Sequence, residues 1–439
     1  MNPIGFMTAA SVLGLGLAGQ AGANEGDGQA RILPERVSVS GSLRLRHETL
    51  SAPYRAGRDG SDQQASWRLR ILGEFDAGAV TFGAELLDAR TWLNDEGSVL
   101  AVNTVNAAEL FQAYARVSTG DASSVQIGRM IMTVGSGRLI AHNNFANSPN
   151  NFEGVRWRQK FNDDWSLDSF YGAPVRIAPR DRQAILNNTA QIDQAEWGTR
   201  LWAGHLTRKL APGRGHLEGY VIGLNHQNGT DTYTAGLRLL RAPSAGAWDH
   251  DLEGALQFGS RPVAGGRQDI RAGFTHLEAG YTFQDAWRTR LSAQLTYATG
   301  DKAGGDFGRF NSIFGGRRGD FGPTGIFGPV GRDNVVAGGV RYQARTGPVQ
   351  LQARVLETRL AQTEDRWGRA NLADATGQSG RRIGIVSDMS VGYNLPNLTN
   401  TRLEAGLGHI AKGRFARTAP NAPDSRDVVY SFVMLNRSF

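Results

Sequence analysis

The 439-residue chain contains no cysteine, which excludes a disulfide framework, thiol catalysis, cysteine-held iron–sulfur clusters and lipid attachment through a cysteine. Lysine is nearly as scarce: only Lys160, Lys209, Lys302 and Lys412 stand among the 48 basic residues, leaving 44 arginines. Mean hydropathy is negative, and beyond the amino-terminus no apolar run approaches the ~18 residues of a membrane helix. If the chain crosses a bilayer, it must do so as a closed β-barrel, which pairs all backbone groups between strands and needs only alternate residues to be apolar. The net charge of +7 does not suggest a nucleic-acid partner, because the basic residues form no cluster. The eight histidines include no i, i+2 or i, i+4 pair, so neither a metal nor another cofactor is expected.

What is present gives an address. Residues 6–19 form an apolar run too short to span a bilayer, followed by Ala21-Gly22-Ala23, a small-x-small cleavage site. We therefore expect a signal peptide at 1–23, a periplasmic stretch at 24–36 and a barrel at 37–439, although no Lys or Arg precedes the apolar run. At the other end, Val429, Ser431, Val433, Leu435 and Arg437 share one face of a strand that closes on Phe439, as bacterial outer-membrane barrels close. Arg437 must snorkel or lie below the apolar band. The 57 glycines and nine tryptophans suit turns and interfacial girdles.

Period-two alternation recurs along the chain. Val37, Val39, Leu43 and Leu45 oppose Ser38, Ser40, Arg44, Arg46 and Glu48; Trp67, Leu69 and Ile71 oppose Arg68 and Arg70; Val349, Leu351 and Val355 oppose Gln350 and Arg354. The phase is ambiguous near 199–207 and 216–225. Long connections are expected at about 50–66, 91–108, 131–151, 172–198, 300–333, 360–381 and 412–427, with short turns between them, such as those at Gly78, Gly120, Asp163, Asp285, Gly347 and Pro396. Alternating long and short connections predict an all-β, antiparallel transmembrane barrel of about eighteen strands with both termini periplasmic.

The polar phase of these strands is rich in arginine: Arg44, Arg46, Arg68, Arg70, Arg156, Arg158, Arg238, Arg288, Arg290, Arg341, Arg354 and Arg402. Guanidinium forks bind carboxylates bidentately and keep their charge, so spaced arginines suit passage of a carboxylated solute. The competing expectation is a lattice of ion pairs with inward acids: Glu48, Glu74, Glu85, Asp251, Glu253, Glu278, Asp388 and Glu404. Catalysis has weak candidates only, in His142 near Ser136 and in His250 between Asp249 and Asp251, and no enzyme is expected.

Between 111 and 156 stand Gln112-Ala113-Tyr114, Gly128-Arg129, Gly135-Ser136-Gly137-Arg138-Leu139 and Phe152-Glu153-Gly154-Val155-Arg156. This segment resembles the alginate-export family of outer-membrane porins, with support from Arg44-x-Arg46-x-Glu48, Asp88-Ala89-Arg90 and Thr299-Gly300-Asp301. Met130 and Glu153 depart from the Gln and Asp usual there. The resemblance implies a monomeric channel for passive movement of an anionic oligo- or polysaccharide past a positive constriction, with small acidic solutes as the alternative cargo and periplasmic export components as partners. It adds Arg129 and Arg138 to the lumen-binding set. It also makes the turn at Pro396 and the loop 91–108 candidate gates. The loop 131–151 is expected to fold into the barrel, since Gly135 and Gly137 permit tight turns, Leu139 and Ile140 ask for burial, and Asn143, Asn144 and Asn147 can bond exposed backbone. Arg138 would then either face the solute or pin the loop through an acid such as Glu153.

Overall fold

Alternation of side chains across a strand decides this architecture. Apolar residues such as Leu45, Ile71, Phe82, Leu86, Ile127, Val155, Leu256 and Val433 are exposed on one side, while charged residues such as Arg44, Glu48, Arg68, Glu85, Glu253 and Arg354 are buried on the other. That inversion of soluble-protein order fits lipid outside and a polar lumen inside.

The computed structural model describes residues 36–439; the expected signal peptide, and all but the last residue of the stretch after it, lie outside the described residues. The strands are β1 (Val37–Leu50), β2 (Asp62–Asp76), β3 (Val80–Trp92), β4 (Asn106–Thr119), β5 (Ser123–Met130), β6 (Phe152–Lys160) and β7 (Trp165–Arg176). After helix α1 (Arg182–Leu186) come β8 (Gln194–Ala195), β9 (Thr199–Lys209), β10 (His216–His226), β11 (Asp231–Arg241), β12 (Ala247–Val263), β13 (Gly266–Thr282) and β14 (Arg290–Ala298). Helix α2 (Arg318–Phe321), β15 (Val335–Thr346), β16 (Val349–Arg359), β17 (Arg382–Asn394), β18 (Thr401–Lys412), helix α3 (Arg414–Thr418) and β19 (Val428–Ser438) complete the chain. Each strand pairs antiparallel with its neighbour and β1 closes on β19. The two-residue β8 only flanks β7, so the wall is an 18-stranded closed barrel. Among the described residues no helix is long and apolar enough to cross a membrane.

The connections alternate as expected, with turns as short as 347–348 at one end and loops as long as 299–334 at the other. Two outer connections, 227–230 and 264–265, are short instead. The second joins the two longest strands, β12 and β13, of 17 residues each. The long loops do not stand clear of the barrel. Leu139, Ile140, Phe145, Phe310, Phe321, Phe327 and Trp367 from three of them form one buried cluster with inward residues of the wall, among them Leu201, Ile222, Phe274, Leu356, Tyr430 and Phe432. This explains the ambiguous phase of β9 and β10, whose Leu201, Ile222 and Leu224 face inserted loops rather than water and so need not be polar.

The closing ladder of β1 and β19, which runs from Ser42–Ser438 to Leu50–Tyr430, is extended by the last residue. The Phe439 N–H donates to the Gly41 carbonyl at 3.0 Å, and the Gly41 N–H donates back at 2.8 Å. A Cβ on Gly41 would lie 2.5 Å from the Phe439 ring. Deleting Phe439 removes both bonds and the ring from the seam. We expect less folded protein in the outer membrane, read as a loss of the heat-modifiable band on gels; an unchanged band would contradict this.

Candidate functional site: an arginine-rich lumen bridged by loops

The luminal arginines fall into three groups according to what they bind. The first holds backbone. Arg44 donates to the carbonyls of Asn144 (2.9 Å), Phe145 (3.1 Å) and Ala146 (2.8 Å) and to the Asn147 side chain. Arg46 donates to Phe145 O at 2.6 Å while pairing with Glu48. Arg68 donates to the carbonyls of Asn144 and Ala146 and to Asn144 Oδ1. Three guanidiniums on β1 and β2 thus grip one bend of the loop 131–151, and Arg46 and Arg318 also lie over the Phe145 ring, 4.4 and 4.2 Å from its centroid. Asn143 sits in the left-handed region at φ 54°, and Asn147 donates to the carbonyls of Trp67, Arg90 and Thr104.

The second group makes ion pairs. Arg70 pairs with Glu85, Arg156 with Asp168, and Arg290 with Asp249 and Glu278. Arg354 has Asp388 at 3.6 Å, Arg341 has Glu278, and Arg402 has Glu404 at 3.9 Å. Arg238 binds Asp251 and Glu218. Arg138 contacts Glu253 (2.7 Å), Asp251 (2.8 Å) and Asp320 (2.9 Å), and is almost fully buried. It therefore pins the loop, but not through Glu153, which pairs with Arg129 instead. The third group is Arg158 on β6, half-buried, with no carboxylate oxygen within 4 Å among the described residues.

Two expected lumen residues are elsewhere. Arg288 lies in the turn 283–289, exposed, at φ 44°. Asp285 accepts Arg288 N–H through its carbonyl at 3.1 Å and Thr289 N–H through its carboxylate at 2.8 Å, so the turn extends to 289 and the strand starts only at Arg290. Arg129 shares the outward phase of Ile127 and Val155, opposite Glu153. Near the outer end of β5 it is held by Glu109 at 2.8 Å and by the carbonyl of Asp193 in the loop 177–198, where lipid contact gives way to protein.

Loop 131–151 crosses the lumen. Its bend is fixed to β1 and β2, and Arg138 reaches β12, about half the circumference away in strand order. Loop 299–334 runs beside it: Phe314 N–H donates to Leu139 O, Ala141 N–H to Phe314 O, and Gly316 N–H to Gly137 O. Gly135 and Gly137 turn at φ 53° and 71°, where a side chain would be strained. Arg332, almost fully buried, joins Arg138 on Asp320. Burial opposes charge on Asp320, yet Arg138, His276 and Arg332 hold its carboxyl well below the usual carboxylate range. Sequence reasoning missed Asp320, Arg332 and Arg318, which lie in a loop without period-two signal.

The weak catalytic candidates are not assembled. Ser136 Oγ accepts the Arg138 backbone N–H, and His142 Nδ1 is bonded to Thr133. Burial, with Arg70 and Arg68 nearby, pushes His142 down to about 4. Asp249 and Asp251 face the lumen on the phase opposite to His250.

The family model for alginate export matches residues 35–429, nine-tenths of the chain. The protein belongs to the alginate export family. A comparison with curated proteins gave no match. Among solved structures, the chain is similar to a BenF-like porin from Pseudomonas fluorescens Pf-5 (TM-score 0.61, 11% identity, 91% of this chain and 98% of that one). It is also similar to OccAB2 from Acinetobacter baumannii (0.61, 12%, 92% and 98%) and to opdK of Pseudomonas aeruginosa (0.59, 12%, 92% and 99%). These likenesses are to the fold. Together with the family they make this alginate-export member a channel-type barrel of the bacterial outer membrane.

Arg138→Met would leave three carboxylates around an apolar side chain, a change that costs about 3–5 kcal/mol when one partner of a buried pair is removed. We expect it to release the loop, read as faster cleavage within 131–151 by added protease, with Arg138→Lys intermediate and Arg138→Glu the most severe. Acid should act in the same direction. Because the Asp320 carboxyl is depressed in the folded chain, its contribution is complete above the ordinary aspartate pKa of about 3.9 and is lost as pH falls below that value. Protease resistance of the loop should hold from pH 7 to 5 and fall below about pH 4; loosening already at pH 6 would refute the assignment.

Proposed function

We propose that this barrel conducts a carboxylated saccharide passively, along the wall formed by β4 to β7. The observation that carries the reading is Arg158. Where other luminal guanidiniums are taken up by carbonyls or acids, this one faces the lumen without a carboxylate within 4 Å among the described residues. Its surroundings suit transient contact. Ser124 and Asp168 are its register partners on β5 and β7, and Arg156 and Arg116 stand on the same inward phase. Those two keep their acids, Asp168 at 2.5 Å and Glu74 at 3.1 Å, so a solute carboxylate meets one open site beside weaker, shared ones. Such a path attracts an anion without trapping it.

The family supports a polyuronate as cargo. The loops that fill part of the lumen favour a second reading, uptake of small acidic solutes. Neither requires chemistry from the protein, whose part is to supply fixed cations in a lumen where screening is weak. Periplasmic export components and a monomeric state in outer-membrane lipid belong to the same proposal.

Single-channel recording in planar bilayers tests it. The pore should prefer chloride over potassium, and uronate oligomers should block chloride current from one side at least. Arg158→Glu replaces a positive charge by a negative one and should lower the anion-to-cation permeability ratio about two- to fivefold without changing folding, since Arg158 holds no other element. Block by monomeric uronates alone would favour the small-solute reading, and cation preference in the parent channel would end both.

A further inference from the structure

On the lipid-facing phase near the long-loop end, arginines on two strands each have an acid of their own: Arg90 on β3 has Asp88 at 3.0 Å, and Arg271 on β13 has Asp306 at 3.0 Å. On β16 and β17 the count is uneven. Arg359 and Arg382 are register partners, and both reach the same carboxylate, Glu357, at 3.2 and 2.9 Å. Their side chains stay 59% and 48% exposed, so they remain open to a further anion. A third guanidinium stands beside them. The Arg382 stem packs on Gly413, where an added Cβ would lie 2.8 Å from Arg382 Cγ. The next residue, Arg414, opens α3, is exposed, and donates to Gln378 O at 3.1 Å. Acids near α3 are engaged elsewhere: Asp374 accepts the backbone N–H groups of Thr376 and Ser379, and Asp427 pairs with Arg417.

Position along the wall decides what this surplus can meet. Glu357 and Arg359 continue the outward phase of Val355 on β16. Below them the outer surface is apolar: Val340 faces Val355 and Met389 faces Leu407 in register, and all four are exposed. At the short-turn end Tyr393, an aromatic of the interfacial kind, lies opposite Val349, ten residues along β16 from Arg359. Ten steps of about 3.3 Å on a strand tilted by about 40° rise about 25 Å, the height of the apolar band of an outer-membrane barrel. Arg359 and Arg382 therefore stand just beyond the band, at headgroup level, on the long-loop side that faces outward in such barrels.

We propose that Arg359 and Arg382, with Arg414 beside them, form a docking site on the outside of the barrel for a phosphorylated glycolipid of the outer leaflet. Phosphate esters at headgroup level present the clustered anionic oxygens that guanidinium forks bind bidentately, while the acyl chains lie along Val340, Val355, Met389 and Leu407. Glu357 orients the two strand arginines and competes with the phosphate for them. The site goes beyond conduction and is independent of the cargo, because Arg359 and Arg382 lie on the lipid-facing phase and not in the lumen.

The test is native mass spectrometry of the full-length barrel in detergent, titrated with diphosphoryl lipid A, with phosphatidylglycerol and inorganic phosphate for comparison. Lipid A should bind at least about fivefold more tightly than phosphatidylglycerol, since its two phosphates engage more than one guanidinium. Arg359→Gln and Arg382→Gln should each weaken lipid A about fivefold, and the double variant more than either. Glu357→Gln frees both guanidiniums and should tighten lipid A binding, whereas a purely structural role for the three residues would leave it unchanged or weaken it. Arg271→Gln, on another part of the rim, should leave lipid A binding as in the parent. Retention of the heat-modifiable band checks folding in each variant, and anion selectivity should be the same in all of them. Unchanged lipid A affinity in the double variant, weaker binding in Glu357→Gln, or an equal loss in Arg271→Gln would overturn the site. Displacement of lipid A by equimolar inorganic phosphate would make it a site for the free anion and overturn the lipid assignment.

Discussion

Irregular backbone inside a barrel has to have its carbonyls answered, and in this protein arginine answers them. A loop that leaves the outer rim and returns across the lumen carries peptide groups away from bulk water, and each carbonyl left without a donor costs about 1–3 kcal/mol. The bends at 144–146 and 326–330 meet this constraint in the same way, one with Arg44, Arg46 and Arg68, the other with Arg55 and Arg317 aided by Tyr54 and Trp367. Guanidinium suits the task because one planar fork can serve two or three carbonyls and keeps its charge when buried. Lysine offers a single point charge. Lys412 is put to comparable use, its Nζ donating to Pro53 O and Asp424 O.

That use of arginine alters how the lumen works. Charge spent on carbonyls or on buried acids is unavailable to a passing anion, so the proposed selectivity rests on the guanidiniums left over. Arginines that hold loops and an arginine without an acid against it among the described residues therefore share the inward phase, separated by what stands opposite them. Arg44 faces a loop, whereas Arg158 is on the inward phase of β6, half-buried. The network around Arg138 is the extreme structural case, with Asp251, Glu253 and Asp320 on one side chain. Its value lies in positioning, because desolvating such a cluster offsets much of its attraction. It holds the crossing loop against β12 and against the loop that carries Asp320.

The wall was the legible part. Period two in β1, β2, β14 and β16, the long and short connections, and the terminal Phe439 all record one requirement, apolar outside and polar inside, imposed on each strand by its own residues. Legibility failed where something other than the contrast between lipid and lumen placed a residue. β9 and β10 lost their alternation because Leu201, Ile222 and Leu224 pack on loops. Arg288 looked like a strand residue because the side-chain bond from Asp285 that extends its turn has no periodic signature. Arg129 looked luminal because its motif sits beside luminal strands, yet its phase is that of Ile127.

By itself the sequence determined the barrel, its family through the motifs between Phe111 and Arg156, and the abundance of inward arginine, since each of these is written in local spacing. Only the tertiary structure decided what each arginine does. Pairing Arg138 with acids more than a hundred residues away, or Arg68 with carbonyls of a distant bend, depends on loop trajectories across a closed lumen. A side chain's partners there are set by the barrel's curvature and by which carbonyls happen to lack donors, and neither leaves a trace in the neighbouring residues.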